Sequence, residues 1–135
     1  QIYRGPDEQN FYVSDDNLVS MGNNRLSVID KEKGKQPMFS SDKRFVVVFN
    51  GCIYNFLEIQ SYLKKKGINF YTNSYTEVLV NAYMYSGQKA FNYFDGMWAV
   101  AIYDKDQNEV ILSRDYVGQK PLYYAFINEV FIGHI

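Results

Sequence analysis

Short runs of β-branched and aromatic residues, cut repeatedly by Gly, Asn, Asp and Lys, recur along this chain, and helical periodicity interrupts them only between residues 56 and 94. That arrangement constrains the fold more than any other feature. Such side chains suit half-buried pleated surfaces, so sheet must dominate, and helices grouped in mid-chain favour α+β over a doubly wound parallel sheet. The pattern predicts strands at 11–13, 18–22, 25–29, 44–50, 97–103, 109–114, 121–126 and 130–133. An aromatic content of 18%, with 13 Tyr and 10 Phe, supplies the sheet faces.

Two stretches depart from the strand rhythm. Phe56, Ile59 and Leu63 recur at three- and four-residue spacing, and Lys64, Lys65 and Lys66 then precede Gly67. Basic residues in a last turn followed by glycine mark a helix end. Further on, Ser74 stands three residues before Glu77, the spacing of a capping box in which hydroxyl and carboxylate each satisfy an orphan amide of the first turn. Val78, Leu79, Ala82 and Tyr83 then fit one helical face, Gly87 closes the helix, and a shorter helix is expected around 89–94.

A chain of 135 residues is sized for one domain, 1–135, with room for a buried core. Its 14 basic and 15 acidic residues give a formal charge of -1, which offers no polyanion-binding surface and argues against a nucleic-acid partner. A single cysteine makes neither an internal disulfide nor a zinc cluster and fits a reducing compartment. Apolar runs such as 45–49 are strand-sized, and no signal peptide opens the sequence, so a soluble cytoplasmic protein with no membrane partner is expected.

Chemistry could reside in Phe49-Asn50-Gly51-Cys52-Ile53-Tyr54-Asn55-Phe56, where an apolar strand runs into Asn-Gly and then a helix start. The Asn50 side chain offers an amide donor, and Gly51 lets a backbone amide approach a ligand with no Cβ in the way. Two donors aimed at one point form an oxyanion hole for a tetrahedral intermediate. A simple turn is the readier explanation of the dipeptide by itself. Arg25, beside a strand-like alternation, could hold a carboxylate through its planar fork, although most arginines are solvated surface charges.

Several segments together resemble the glutaminase domain of glutamine-hydrolysing asparagine synthetases. That family reads Arg-Gly-Pro-Asp, Arg-Leu-Ser-Ile-Ile-Asp, Gln-Pro-Met, Phe-Asn-Gly-Glu-Ile-Tyr-Asn-Phe, Ser-Asp-Thr-Glu-Val, Gly-Met-Phe-Ala-Phe-Ala and Arg-Asp-Arg-Phe-Gly-Ile-Lys-Pro-Leu-Tyr-Tyr. Here the corresponding residues are 4–7, 25–30, 36–38, 49–56, 74–78, 96–101 and 114–124, in that order. Phe-Asn-Gly also separates the chain from sugar-phosphate and phosphoribosyl amidotransferases, which tend to carry His-Asn-Gly.

The resemblance implies a four-layer αββα sandwich of the N-terminal-nucleophile hydrolase type. In that family a cysteine at residue one attacks the glutamine carboxamide with its own α-amine as base, and ammonia passes to an ATP-using synthetase domain or subunit that amidates aspartate. By the resemblance, Arg25 would hold the glutamine α-carboxylate, and the Asn50 side chain with the Gly51 amide would form the oxyanion hole. Tyr75 and Cys52 would stand where the family carries acidic partners for the α-ammonium. No cofactor is expected in this domain, and ATP and magnesium would belong to the synthetase portion. The residues fix no oligomeric state, a homodimer among them.

The departures carry information too. The sequence opens at Gln1 just before Arg-Gly-Pro-Asp, so the family's first strand, helix and cysteine lie outside it, and the domain is expected to be N-terminally incomplete and inactive alone. Tyr75 replaces an aspartate, Cys52 a glutamate and Tyr116 a common arginine. A desolvated ammonium facing neutral groups forgoes about 2–5 kcal/mol of recognition. Cys52 is a poor substitute nucleophile, because an internal cysteine lacks the α-amine that would serve as base. Two readings therefore stand: a glutaminase domain supplying ammonia, and a non-catalytic amidotransferase-like scaffold or binding module that packs on a synthetase domain or partner.

Overall fold

The computed structural model describes residues 8–25 and 34–135. In chain order these form β1 (Glu8–Val13), β2 (Ser20–Arg25), β3 (Met38–Phe39), β4 (Phe45–Ile53), α1 (Phe56–Lys65) and α2 (Tyr75–Ser86). A 3₁₀ stretch (Gly87–Tyr93) follows, then β5 (Gly96–Asp104), β6 (Glu109–Arg114), β7 (Tyr123–Ile127) and β8 (Val130–His134). Strands β3-β4-β5-β6 make one antiparallel sheet, while β1 pairs with β2 and β7 with β8.

Helices on one side of the four-stranded sheet and the β1–β2 hairpin on the other bury β4 on both faces. Strand residues alternate, so Val47 and Phe49 join Val100, Ile102, Leu63, Leu79 and Tyr83 in one cluster, whereas Val46 and Val48 pack with Met21 and Tyr103 in another. This explains why the 45–49 run is apolar without alternation: Val46 and Val47 are both completely buried. Each such side chain contributes roughly 1.5–3 kcal/mol by leaving water.

Both helices begin and end where expected, at Phe56 and Lys65 and at Tyr75 and Ser86. Two details differ. The residues from Thr76 to Tyr83 are all buried, so α2 is enclosed nearly all round rather than along one face, because sheet, α1 and the 3₁₀ stretch surround it. Only half of the capping box forms: Ser74 Oγ accepts from the Glu77 amide at 3.2 Å. The Glu77 carboxylate instead accepts from the amides of Tyr71 at 2.8 Å and Thr72 at 2.7 Å and from the Thr72 hydroxyl at 2.6 Å, tying the approaching chain to the helix.

The strands predicted at 18–22 and 25–29 meet differently. Gly22, Asn23 and Asn24 lie inside β2, because β1 pairs with each of them across the hairpin. Arg25 closes that strand opposite Glu8, and 26–29 lie outside the described residues, as does the Arg-Gly-Pro-Asp segment at 4–7.

Asn50-Gly51 is not a turn either; β4 continues through it to Ile53, paired with β5 as Asn50↔Ala99, Gly51↔Trp98, Cys52↔Met97 and Ile53↔Gly96. A Cβ on Gly51 would run into the Met97 carbonyl oxygen and come within 2.8 Å of the Trp98 Cα. On Gly96, which takes φ +155°, a Cβ would strike the Cys52 carbonyl oxygen. The bare glycine expected to admit a ligand is thus required by the neighbouring strand. Gly51→Ala is expected to lower the unfolding free energy by about 2 kcal/mol or more, since the obstruction is backbone. Urea denaturation checks this, and a midpoint equal to wild type would contradict the close approach.

Candidate active site

β4 outruns its neighbour. β3 pairs only Met38 with Val47 and Phe39 with Val46, so among the described residues β4 from Val48 onward has no strand on that side. Extending the register two residues backward puts Pro37 opposite Val48 and Gln36 opposite Phe49. Proline has no amide hydrogen to continue a ladder. The Gln36 side chain makes the bonds that a strand backbone would make: the Phe49 amide donates to Oε1 at 2.6 Å, and Nε2 donates to the Phe49 carbonyl at 3.0 Å. Nε2 also donates to Thr76 Oγ1 at 3.1 Å, and Asn23 Nδ2 donates to Oε1 at 3.3 Å. One buried carboxamide thereby joins β2, β4 and the first turn of α2.

The sequence-predicted residues lie on these three elements: Arg25 ends β2, Tyr75 opens α2, and Asn50 and Cys52 fall in the last four residues of β4. Asn50 follows Phe49 directly and is exposed, and its carboxamide makes no hydrogen bond among the described residues. Cys52, two residues on, is half-buried. Tyr75 is the first residue of α2, immediately before Thr76, and its ring meets Phe56 edge-on with centroids 4.9 Å apart. Burial, together with a hydrogen bond and electrostatic contact with Cys52, pushes the Tyr75 phenol up to about 12. The two residues standing at the expected acidic positions are therefore in contact with each other, and Tyr75 is neutral across the physiological range. Arg25 lies two residues beyond Asn23 on β2; its backbone faces Glu8, and its side chain lies outside what the structure describes.

Other residues shape this end of the sheet. Asn55, in the turn after β4, donates to the Tyr93 carbonyl at 2.9 Å and accepts from the Asp95 amide at 3.0 Å. The Tyr54 amide donates to the Asp95 carbonyl at 2.7 Å, so the β4–α1 turn is clipped to the entry of β5. Glu77, with three hydrogen bonds to residues 71 and 72, is committed and does not reach toward Tyr75 as a substitute carboxylate. Asp115 is buried, and burial raises its pKa, but amides of Lys120, Gln119, Trp98 and Gly118 more than offset that and hold it below the usual range. It organises the turn in which Tyr116 projects fully into solvent.

No local signal in the sequence marks Gln36, Thr76 or Asn23 for a role, although Gln36 precedes Pro37 in one of the matching strings. Their arrangement appears only once three distant segments are superposed. Among the described residues no cluster of His, Cys, Asp and Glu could hold a metal ion, and no helix is long and apolar enough to cross a membrane.

Residues 1–133 match the family described as a glutamine amidotransferase domain. The chain is 40% identical over 128 residues to asparagine synthetase [glutamine-hydrolyzing] 1 of Bacillus subtilis, covering 95% of the chain and 20% of that protein. It is 32% identical over 124 residues to asparagine synthetase B [glutamine-hydrolyzing] of Escherichia coli, covering 92% of the chain and 22% of that protein. The chain thus spans about a fifth of the length of these relatives. In fold it is similar to glutamine phosphoribosylpyrophosphate amidotransferase from B. subtilis, with a TM-score of 0.72 and 23% identity over 84% of the chain and 27% of that protein. The antiparallel, helix-covered architecture is that of the N-terminal-nucleophile hydrolases.

The Tyr75 environment sets a pH response. A phenol whose folded pKa exceeds the unfolded value near 10 contributes stability that is complete below about pH 10 and lost as pH rises toward its folded value. Wild type and Tyr75→Phe should therefore show nearly the same tyrosinate absorbance at about pH 11, where an ordinary tyrosine is mostly ionised. A clear excess in the wild type at that pH would contradict the raised pKa of the half-buried phenol beside Cys52.

Proposed function

Because the chain belongs to the glutamine amidotransferase domain family, we propose that it is the glutaminase domain of an asparagine synthetase-like protein, releasing ammonia from glutamine for the amidation of aspartate. The observation that carries this reading is the exposed Asn50 carboxamide on β4, whose backbone is paired with β5 on one edge and whose preceding residue, Phe49, is held by Gln36 on the other. A donor fixed before the reaction begins can meet charge as it develops on the carbonyl oxygen, with no reorganisation at the moment of bond breaking.

In this reading a cysteine at the mature N-terminus of the full chain adds through its thiol to the glutamine δ-carbon, and its α-amine takes the thiol proton. The Asn50 side chain and the Gly51 amide receive the oxyanion. Collapse expels ammonia, which takes the proton, and leaves a thioester that water hydrolyses to glutamate. Arg25 holds the substrate carboxylate. ATP and magnesium act in the synthetase portion, where aspartate is activated.

Cys52 and Tyr75 give the ammonium subsite a neutral wall, which lowers affinity for glutamine relative to a wall with carboxylates. That same pair favours the second reading, a non-catalytic module packing on a synthetase domain. The full chain decides between them by release of glutamate and ammonia from glutamine. Hydrolysis is expected; none at any glutamine concentration would favour the module. Asn50→Ala should lower kcat by about 100- to 1,000-fold, the cost of one oxyanion donor. Replacing Cys52→Glu and Tyr75→Asp together should lower KM by on the order of tenfold or more, and an unchanged KM would refute the neutral-wall explanation.

A further inference from the structure

We infer that Gln36 is a positioning residue that sets the spacing of the whole reaction site. The inference rests on the glutaminase reading above. Its carboxamide is saturated: Oε1 accepts from Phe49 and Asn23, and Nε2 donates to Phe49 and Thr76. Each partner adjoins a proposed substrate contact. Phe49 precedes Asn50, Thr76 follows Tyr75, and Asn23 lies two residues before Arg25 on β2.

Among the described residues the three segments share no other hydrogen bond, and they come from three layers of the fold, so no ladder sets their separation. Gln36 does so with one planar group whose four bonds lie between 2.6 and 3.3 Å. Planarity matters because the same amide that fixes the height of Phe49 also fixes the direction in which Thr76 is held. A side chain of similar length without the amide fills the volume but leaves the buried Phe49 amide and carbonyl unpaired, so the strand end relaxes toward other partners.

The consequences for the two contacts differ. The bonds to Phe49 control where Asn50 meets the developing oxyanion, an interaction made mostly in the transition state, and so they act on kcat. The bond to Thr76 controls where Tyr75 meets the bound substrate, and so it acts on KM. A residue serving stability alone would produce neither this split nor any dependence on Asn50.

The test is steady-state glutamine hydrolysis by the full chain, comparing wild type, Gln36→Met, Thr76→Val, Asn50→Ala and the Asn50→Ala, Gln36→Met double variant. Gln36→Met should lower kcat by roughly 10- to 100-fold, the scale of a displaced catalytic group. The double variant should lie within about threefold of Asn50→Ala, because the two act through one donor. Thr76→Val, which keeps its shape and removes one bond, should raise KM severalfold with kcat within about twofold.

Multiplicative losses in the double variant, or wild-type kinetics in Gln36→Met, would overturn the inference. Should Gln36→Met fail to fold, Thr76→Val decides: a raised KM at unchanged kcat supports the inference and wild-type KM overturns it. A wild-type chain that releases no ammonia, or an Asn50→Ala variant with full kcat, overturns the functional reading and the positioning role with it. An active, Asn50-dependent enzyme with multiplicative losses overturns the positioning role alone.

Discussion

A strand buried at its edge must find partners for its backbone, and the organisation of this domain follows from how β4 meets that demand at Phe49. β3 is only Met38 and Phe39, and Pro37 has no amide hydrogen to extend it. The Gln36 carboxamide stands in for the missing stretch of strand, with the donor and acceptor of a peptide group on a flexible stem. A true strand would have satisfied Phe49 and nothing more. A side-chain amide has a second hydrogen and a second lone pair, and these reach Thr76 and Asn23.

The opposite edge of β4 obeys a different constraint. There β5 lies so close that Gly51 and Gly96 admit no side chain, and the strand passes through Asn50-Gly51-Cys52 without bending. Held by an amide on one side and by backbone contact on the other, this segment has little freedom to move. Rigidity of that kind suits a donor that must be in place before charge appears. The Cys52–Tyr75 contact adds a neutral, partly buried surface beside it.

Much of this architecture is legible in the residues, and the remainder is hidden for definite reasons. The run at 45–49 reads correctly as a fully buried strand, and both helices show their ends through Lys64, Lys65 and Gly67 or Ser74 and Gly87, because those signals are local. Asn50-Gly51 misleads, since a dipeptide common in turns is equally what a strand needs where another backbone crowds it, and the crowding strand lies more than 40 residues away. Glu77 has the spacing of a reciprocal cap, yet its carboxylate finds three better-placed donors in residues 71 and 72, whose path no local rule describes. Val80 and Asn81 break the amphipathic pattern of α2 because the helix is enclosed by tertiary neighbours. Asn50 is legible as an amide donor from the residues, and the resemblance of whole strings raises it above the simple turn; the structure places it exposed on β4, directly after the buried run 45–49.

The paired glycines also bear on how such a domain can diversify. Positions 51 and 96 are closed to other amino acids by main-chain atoms, whereas position 50 faces solvent and positions 52 and 75 meet side chains, each other's and that of Phe56. Inheritance can therefore exchange a carboxylate for a thiol or a phenol at the latter without disturbing the frame, as a lock keeps its casing while its pins are recut. New selectivity can arise in this lineage through single-codon steps at the rim, with the structural cost confined to the side chain that changes.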